Sequence, residues 1–437
     1  MKTMTKAAIS LLLVLTSFAG SAWGQATQPA NAPGVPAPSF QGFQLPRLNG
    51  SFQYAITASE LATTGSYLGA NGIDYLTTIS GDIAYVSQSK ARPFSLVYSG
   101  GYFASTYGQP SVFFQNLSLS QVLLTRSWDF VLSDSVSYLP QSATIGLSGI
   151  AGVGDLGVAP VQIGPVSSQG ILTGYATQVD NITTASVERK VTGSTWIQGS
   201  GSLMLLRFVG ASASAGIDSN METASVGPSH RIDARNTVSA NYTYARFTFS
   251  GTPFSFTSQG VNLEYFHRFS RKVIMDVSMG PQRTTSSPGP NQAFTTLAAN
   301  ITSSYTGKSS VASINYSRGT YGGAGVAQGA VSDDVGVLGT HALGTQWTAS
   351  VSGNYVRSSS LPFLYAPPFT INTVFGGVQT SRALGRNFFA YASYTAQQQS
   401  IQSKPGPAAT LNAFNGFSQV IGIGLTYSPT SVHLGHR

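Results

Sequence analysis

After residue 50 the chain is built largely from segments of about ten residues in which apolar and polar side chains alternate, separated by turn-forming residues. Residues 261–265 read Val-Asn-Leu-Glu-Tyr, and residues 347–355 and 421–427 follow the same rule. A two-residue period places successive side chains on opposite faces of a strand. Each segment is therefore expected to form a strand with one apolar and one polar face.

The composition argues against a large soluble protein. Only 9% of the residues are charged, whereas about 25% is usual in soluble domains, and no stretch after residue 24 is apolar over the roughly 18 residues of a membrane helix. Two-faced strands of this kind suit a sheet with lipid on one side and neutral polar groups on the other. The basic residues behind the net charge of +8 are scattered, so no nucleic-acid partner is expected. The absence of cysteine excludes disulfides, thiolate metal sites and a lipidated cysteine.

The amino end has the layout of a secretory signal peptide. Lys2 and Lys6 precede an apolar run from Ala7 to Phe18, and small residues at 22–24 suit cleavage after Gly24. We therefore predict a signal peptide over 1–24, a proline-rich periplasmic leader over 25–49, a transmembrane barrel over 50–428 and a tail over 429–437.

Two kinds of connection alternate along the barrel segment. Short and usually basic turns are predicted at 90–92, 126–129, 189–193, 231–235, 270–272, 307–308, 343–344 and 382–386. Longer connections rich in Gly, Pro and Ser are predicted at 62–72, 106–114, 139–174, 209–216, 250–255, 281–294, 319–328, 359–368 and 400–416. Short periplasmic turns and long outer loops are typical of membrane barrels. Eight turns and nine loops predict an all-β antiparallel barrel of about 18 strands, with 16 as the alternative because segments 50–60 and 217–228 are poorly patterned.

This pattern, from Gly50 to Tyr427, resembles bacterial outer-membrane β-barrels of porin-like size. The resemblance implies residence in the outer membrane, contact with its lipid including lipopolysaccharide, and insertion by the barrel-assembly machinery. That machinery usually reads a last strand ending in an aromatic residue; Tyr427 fits this, whereas the extension from Pro429 to Arg437 departs from it.

Two groups of side chains are predicted to meet the membrane. Trp128, Trp196 and Trp347 fall at short turns and would form a periplasmic aromatic girdle, unless they reflect only the preference of aromatic residues for strands. Arginines with the parity of the apolar face lie at or beyond the outer ends of ascending strands; they are Arg207, Arg246, Arg283, Arg318 and Arg357. Guanidinium groups can bind lipid phosphates bidentately, and generic snorkelling or solvation is the alternative.

The loop over 139–174 is unusually apolar and carries one charge, Asp155. It is predicted to fold inward and narrow the opening, or else to pack on the rim or a neighbouring copy; the constriction candidates are Ile145, Leu147, Ile150, Asp155 and Leu156. Residues 152–157 match G-x-G-x-x-G, but Pro160 and Pro165 exclude the helix that a dinucleotide site needs.

The polar face consists mostly of Ser, Thr, Asn, Gln and Gly, and the acids that can be placed on it are Asp82, Glu264, Asp276 and Asp334. As pore-lining residues they would bias a channel toward cations. Alternatively they are solvated singly or pair with Arg268 and Arg271. All five histidines fall at the periplasmic side or in the tail, so an outer-rim hydrolase is not expected, and no cofactor or metal is predicted.

The function that these observations favour is an outer-membrane pore that passes small polar solutes with weak selectivity. The alternative is a non-conducting structural or export barrel of a polysaccharide or secretion system. The sequence assigns no substrate and no oligomeric state.

Overall fold

The chain forms a closed antiparallel barrel of 18 strands in a computed structural model. The residues that the structure describes are 13–14, 51–64, 73–87, 89, 92–105, 112–141, 156–157, 176–209, 216–287, 292–323, 325–344, 346–362, 368–385, 387–403, 414–429 and 432–433. No helix in these ranges is long and apolar enough to cross a membrane.

The barrel strands run from β1 near residue 51 to β18 near residue 427. In the first half they are β1 (Ser51–Thr64), β2 (Asp74–Val86), β3 (Phe94–Ser105), β4 (Val112–Leu124), β5 (Trp128–Gln141), β6 (Ala176–Lys190), β7 (Thr195–Phe208), β8 (Ser219–Arg231) and β9 (Asn236–Phe249). In the second half they are β10 (Ser255–Arg268), β11 (Val273–Ser287), β12 (Ala293–Thr306), β13 (Ser310–Tyr321), β14 (Ala330–Leu343), β15 (Trp347–Ser360), β16 (Phe369–Ala383), β17 (Phe388–Ser403) and β18 (Gly416–Tyr427).

Each strand pairs with its neighbours in sequence, and the sheet closes where β18 pairs with β1 from Ile56–Tyr427 to Thr64–Gln419. Closure gives every strand a hydrogen-bonded neighbour on both sides, which a sheet in lipid requires because no water is there to pair a free edge. Three two-residue strands add to this pattern. Leu13–Val14 pairs in parallel with Leu156–Gly157, and Val432–His433 pairs with Phe52 and Ser51 of β1.

The predicted count of 18 is confirmed. Both poorly patterned segments form full strands, β1 and β8. Eight connections lie at one end of the barrel and nine at the other, as predicted; all but one of the eight have only three or four residues, whereas the nine have five to 34. We call these the short-turn end and the long-loop end.

Side-chain exposure follows the two-residue period. On β9, Val238 and Tyr242 are exposed on the outer face, whereas Asn241 and Thr243 are buried on the inner face. Inner hydroxyls pair between neighbouring strands, as Ser200 does with Ser225 at 2.6 Å. Ser332 and Ser358 form a similar pair at 2.6 Å. Such cross-strand contacts satisfy polar groups on the inner wall and fix the register.

The predicted signal peptide and leader lie outside the described residues except for Leu13 and Val14. Their boundaries remain predictions. In the predicted tail, Val432–His433 extends the sheet beside β1, so this part is not a free end.

Candidate functional site: the lumen and its mouth

The structure places all four predicted pore-lining acids on the inner face. Asp82 is buried on β2 and accepts a hydrogen bond from Ser99 on β3. Glu264 lies on β10 between the exposed residues Leu263 and Tyr265. Asp276 on β11 and Asp334 on β14 have the same inward parity. Their placement supports a lining role but does not by itself demonstrate one.

Around Glu264, inward polar side chains from three strands form a connected series that we call the polar chain. Gln198 Nε2 on β7 donates to Asn241 Oδ1 on β9 at 3.1 Å, and Asn241 Nδ2 donates to Glu264 Oε2 at 3.2 Å. Between β7 and β9, Gly227 of β8 leaves the space that the Asn241 side chain occupies, since a Cβ there would overlap Asn241. Asp276 on β11 extends this set of inward polar residues, because it pairs with Phe266, two residues from Glu264 on β10.

Acidic and basic side chains occupy different parts of the inner wall. The inward acids of the described strands are Asp74, Asp82, Asp129, Asp180, Glu188, Glu264, Asp276 and Asp334. The inward bases of the same strands are Lys190, Arg231 and Arg268, and each is the last residue of its strand at the short-turn end. Lys190 is paired with Asp129 at 2.6 Å. The middle of the described wall therefore carries acidic charge only.

Asp180 is an inward acid that was not among the predicted pore-lining residues. The residues around it alternate poorly because Asn181 and Thr183 are polar although they face outward, where both donate to Asp134 on β5, at 3.1 and 2.6 Å. Only the strand pairing shows that Asp180 faces inward, opposite Ser137 and Leu206.

The hairpin between β13 and β14 leaves the wall and folds into the barrel; we call residues 319–331 the inner hairpin. β12 pairs with β13 only up to Ala299–Arg318, so the hairpin tip is no longer held in the wall. Thr320 then contacts the inward side chains Gln282 at 3.4 Å and Thr284 at 3.3 Å on β11. Contact with the inner face of β11 places the hairpin inside the barrel.

The inner hairpin reaches opposite walls. The Ile217 amide donates to the Gly325 carbonyl oxygen at 2.7 Å, and Gly325 lies against the ring of Phe208 at the end of β7. Val326 and Ala327 pack against Phe369 and Ile371 of β16. β7 and β16 are nine positions apart in an 18-strand barrel, so they face each other across the lumen. The hairpin therefore spans the mouth at the long-loop end and narrows it.

An apolar cluster holds this arrangement. It joins Phe247, Phe256 and Leu361, each almost fully buried, with Met204 and Met221. The rings of Phe247 and Phe256 stack with centroids 4.4 Å apart. Gly329 lies directly on this cluster, because a Cβ there would lie 2.5 Å from Leu361 Cδ1 and 2.7 Å from Phe256 Cε1. The inner face is thus apolar at the mouth and polar below it.

The loop over 139–174, which is predicted to narrow the opening, lies outside the described residues apart from 139–141 and 156–157. Ile145, Leu147, Ile150 and Asp155 lie outside the described residues. Leu156 is described only as part of the two-residue strand that pairs with Leu13. A role for this loop stays a prediction. Within the described residues, the segment that narrows the mouth is the inner hairpin, which includes one of the nine predicted outer loops, 319–328.

The five predicted lipid-contact arginines divide into two groups. Arg318 binds both oxygens of Asp333, at 2.6 and 2.8 Å, and Arg207 donates to Leu206, Ser219 and Asn220. The guanidinium groups of Arg318 and Arg207 therefore donate hydrogen bonds to other groups of the protein. Within the described residues no hydrogen bond or ion pair engages the other three, which are Arg246, Arg283 and Arg357, all exposed.

The tryptophans of the predicted girdle do not share one face. Trp128 and Trp347 are 37% and 41% exposed on the outer face, each under a stacked arginine, Arg189 or Arg382, at 5.2 Å. Trp196 is 8% exposed and faces inward, so including it in a lipid-facing girdle was wrong. Trp196 has an even number, whereas the outward-facing Leu203 of the same strand has an odd number. The alternation in the sequence therefore already places Trp196 on the inner face.

The described histidines lie at the short-turn end or in the tail. Ser310 Oγ and His341 Nδ1 are 2.6 Å apart, but this pair is exposed beside a turn and has no acid partner among the described residues. Three or more side chains placed to hold a metal ion do not occur in the described part of the chain. The polar and acidic side chains of the lumen wall are therefore the candidate functional site of the described residues.

No protein-family model matches the sequence, and no curated protein matches it. Among solved structures, OccK2 (OpdF) of Pseudomonas aeruginosa is 9% identical, with 88% of this chain and 98% of that chain covered and a TM-score of 0.43. OpdK of the same organism, solved with vanillate, is 7% identical over 87% and 99%, with a TM-score of 0.41. The FrpB iron transporter from Neisseria meningitidis is 8% identical over 82% and 63%, with a TM-score of 0.41. The closed sheet and its two faces, rather than these distant similarities, identify an 18-strand barrel with the architecture of outer-membrane β-barrels of porin-like size.

Proposed function

We propose that the protein is an outer-membrane pore that passes small polar solutes. The observation that supports this most directly is the inner wall, where hydroxyl, amide and carboxyl groups line a closed barrel whose outer face is apolar. A wall of this kind replaces part of the hydration shell of a polar solute, whereas an apolar wall would dewet. The inner hairpin supports size selection, because it reduces the free cross-section at one mouth.

A second candidate is a non-conducting structural or export barrel. The observation that favours it is also the inner hairpin, since a segment that joins β7 to β16 obstructs the mouth. In an export system, a partner protein or the exported polymer would displace the hairpin. The two candidates therefore differ in whether the isolated barrel conducts.

Recording from purified full-length protein in a planar bilayer separates them. Stable open steps whose size scales with salt concentration support the pore. A correctly folded barrel that inserts but stays silent contradicts the pore and supports the export component. Folding is checked by the shift in gel mobility between unheated and heated samples, and incorporation by flotation of the protein with lipid vesicles, so a silent record cannot be mistaken for a misfolded or unincorporated barrel.

The export route and lipid contacts belong to the same proposal. The signal peptide over 1–24 and the barrel-assembly machinery account for delivery to the outer membrane. Arg246, Arg283 and Arg357 are exposed on the outer face toward the long-loop end, where guanidinium groups meet headgroup phosphates. Lipopolysaccharide is therefore the proposed lipid partner of these three side chains.

A further inference from the structure

Three inward carboxylates each have an inward amide side chain close by. Gln178 and Asp180 are two residues apart on β6, and Asn262 and Glu264 are two apart on β10. Asn354 on β15 lies within hydrogen-bonding reach of Asp334 on β14. We call these the acid–amide pairs; they are Gln178–Asp180, Asn262–Glu264 and Asn354–Asp334.

The acid–amide pairs offer oxygen atoms that the protein does not use. Gln178 and Asn262 are only 5% and 6% exposed, and the side-chain oxygen of each has no hydrogen-bond partner. The same is true of one oxygen each on Asp180, Asp334 and Asn354. Buried polar atoms normally have partners, so an acceptor oxygen left unpaired beside a carboxylate adds to the negative potential of that part of the wall. Acceptor oxygens bind hydrogen-bond donors and cations, and they repel anions.

No neighbouring base neutralises these carboxylates. The ion pairs in the described ranges are Lys190–Asp129, Arg207–Asp218 and Arg318–Asp333, and none of them includes an acid of these pairs or Asp276. The inward bases sit at the last strand residue at the short-turn end, and Arg268, which lies opposite Ile274 two residues from Asp276, forms no ion pair with it.

The lining thus combines one sign of charge with unused acceptors, and it does so at several places around the wall. We propose that the lumen selects cationic over anionic solutes and that the acid–amide pairs supply the negative potential that attracts the cations. This rests on the proposed pore function. The field of a one-sign lining is focused by the low-dielectric wall. A lumen potential of only about one kT concentrates cations and depletes anions by a factor of e each, a cation preference of about sevenfold.

The test is the reversal potential of the full-length protein in a planar bilayer under a tenfold KCl gradient. The wild type is expected to favour K⁺ over Cl⁻ by about sevenfold, with a larger preference in dilute salt where screening is weaker. The variant Asp180→Asn/Glu264→Gln/Asp276→Asn/Asp334→Asn keeps side-chain shape and removes four charges. Its preference should fall below about twofold on the same reasoning. The control Glu60→Gln/Glu222→Gln removes two outward acids and should leave the wild-type preference unchanged.

The outcomes are distinguishable. Absence of channels in a correctly inserted barrel contradicts the proposed pore itself. Channels that show no cation preference leave the pore standing and overturn the selectivity. A preference that survives the fourfold substitution, or that falls equally in the control, overturns the assignment to the acid–amide pairs. Should the fourfold variant fail to insert, Asp180→Asn/Asp334→Asn and Glu264→Gln/Asp276→Asn are measured separately, and each is expected to lower the preference.

Discussion

The inner hairpin makes a sharp prediction at Gly325. This residue has a φ of 74°, in the left-handed region that side chains disfavour, and a Cβ there would overlap the ring of Phe208. The same ring also lies against Gly216, so two backbone segments restrict the space into which it could shift. Gly251 has nearly the same φ, 75°, but nothing lies within 4 Å of its Cβ position. Gly325→Ala and Gly251→Ala therefore impose the same backbone strain and differ only in the overlap.

The expected magnitudes follow from these geometries. A left-handed alanine costs about 1–2 kcal/mol. Overpacking against this restricted ring adds about 1–3 kcal/mol, so Gly325→Ala should cost about 2–5 kcal/mol in all. The contacts that dock the tip are one hydrogen bond, worth about 1 kcal/mol, and burial of Val326 and Ala327, worth about 2–4 kcal/mol. The substitution should therefore remove most of the docking free energy.

The assay is single-channel conductance. Gly325→Ala is expected to spend a large fraction of time at a conductance above the wild-type level, because the undocked hairpin no longer spans the mouth. Gly251→Ala should behave as the wild type. If the two variants gave the same conductance distribution, docking of the hairpin would not control the opening, and the reasoning from the Phe208 overlap would be refuted.

Three further predictions concern lipid contact, the polar chain and a turn. Replacing Arg246, Arg283 and Arg357 by Gln should reduce co-purifying lipopolysaccharide severalfold. Arg207→Gln/Arg318→Gln should not reduce it, because these two arginines bind protein groups. Equal losses in both variants would contradict the proposal that only the three arginines without protein partners among the described residues bind lipid. Gly227→Ala should lower the free energy of unfolding by about 1–3 kcal/mol because its Cβ would lie 2.0 Å from the Ala240 carbonyl oxygen and 2.4 Å from Asn241 Oδ1, while Gly199→Ala, whose Cβ would make an ordinary contact at 3.5 Å with Val187, should change it far less in urea titration. Hydrogen bonds from the Arg235 amide, the Asn236 side chain and the Asn236 amide hold the pKa of Asp233 below its usual value. The support that this turn gives to the fold is thus present above the unfolded-state pKa and is lost as pH falls through the lower folded value. The protection of the Arg235 and Asn236 amides, measured as the exchange rate relative to the intrinsic rate at each pH, should fall accordingly; protection that persists in acid, or that is unchanged in Asp233→Asn, would contradict it.

The strands and their connections could be predicted because a two-residue period is a local property. Each face of a segment such as 261–265 meets a different environment, so the residues themselves record which side is which. The same parity rule placed Asp82, Glu264, Asp276 and Asp334 on the inner wall. The parity rule also predicts that Trp196 faces inward, although its position near a turn suggested the lipid-facing girdle.

The inner hairpin could not be predicted in this way. Residues 319–328 are rich in glycine, like several outer loops, and nothing local distinguishes a loop that projects outward from one that folds back. Its position depends on contacts with Phe208 and Phe369, which lie more than 40 residues away in either direction. Asp180 was missed for a different reason, because outward Asn181 and Thr183 are satisfied by Asp134 and so break the alternation that parity relies on.

The most direct test of the account is a single-cysteine scan along residues 259–266 of β10 in lipid bilayers, which the absence of native cysteine makes unambiguous. Each cysteine carries a spin label, and collision rates are measured with oxygen, which partitions into lipid, and with a water-soluble nickel complex. We expect oxygen accessibility to peak at 261, 263 and 265 and nickel accessibility to peak at 260, 262, 264 and 266, in opposite phase. Nickel accessibility at every position, or a period other than two, would contradict a closed sheet with lipid outside and a polar lumen within.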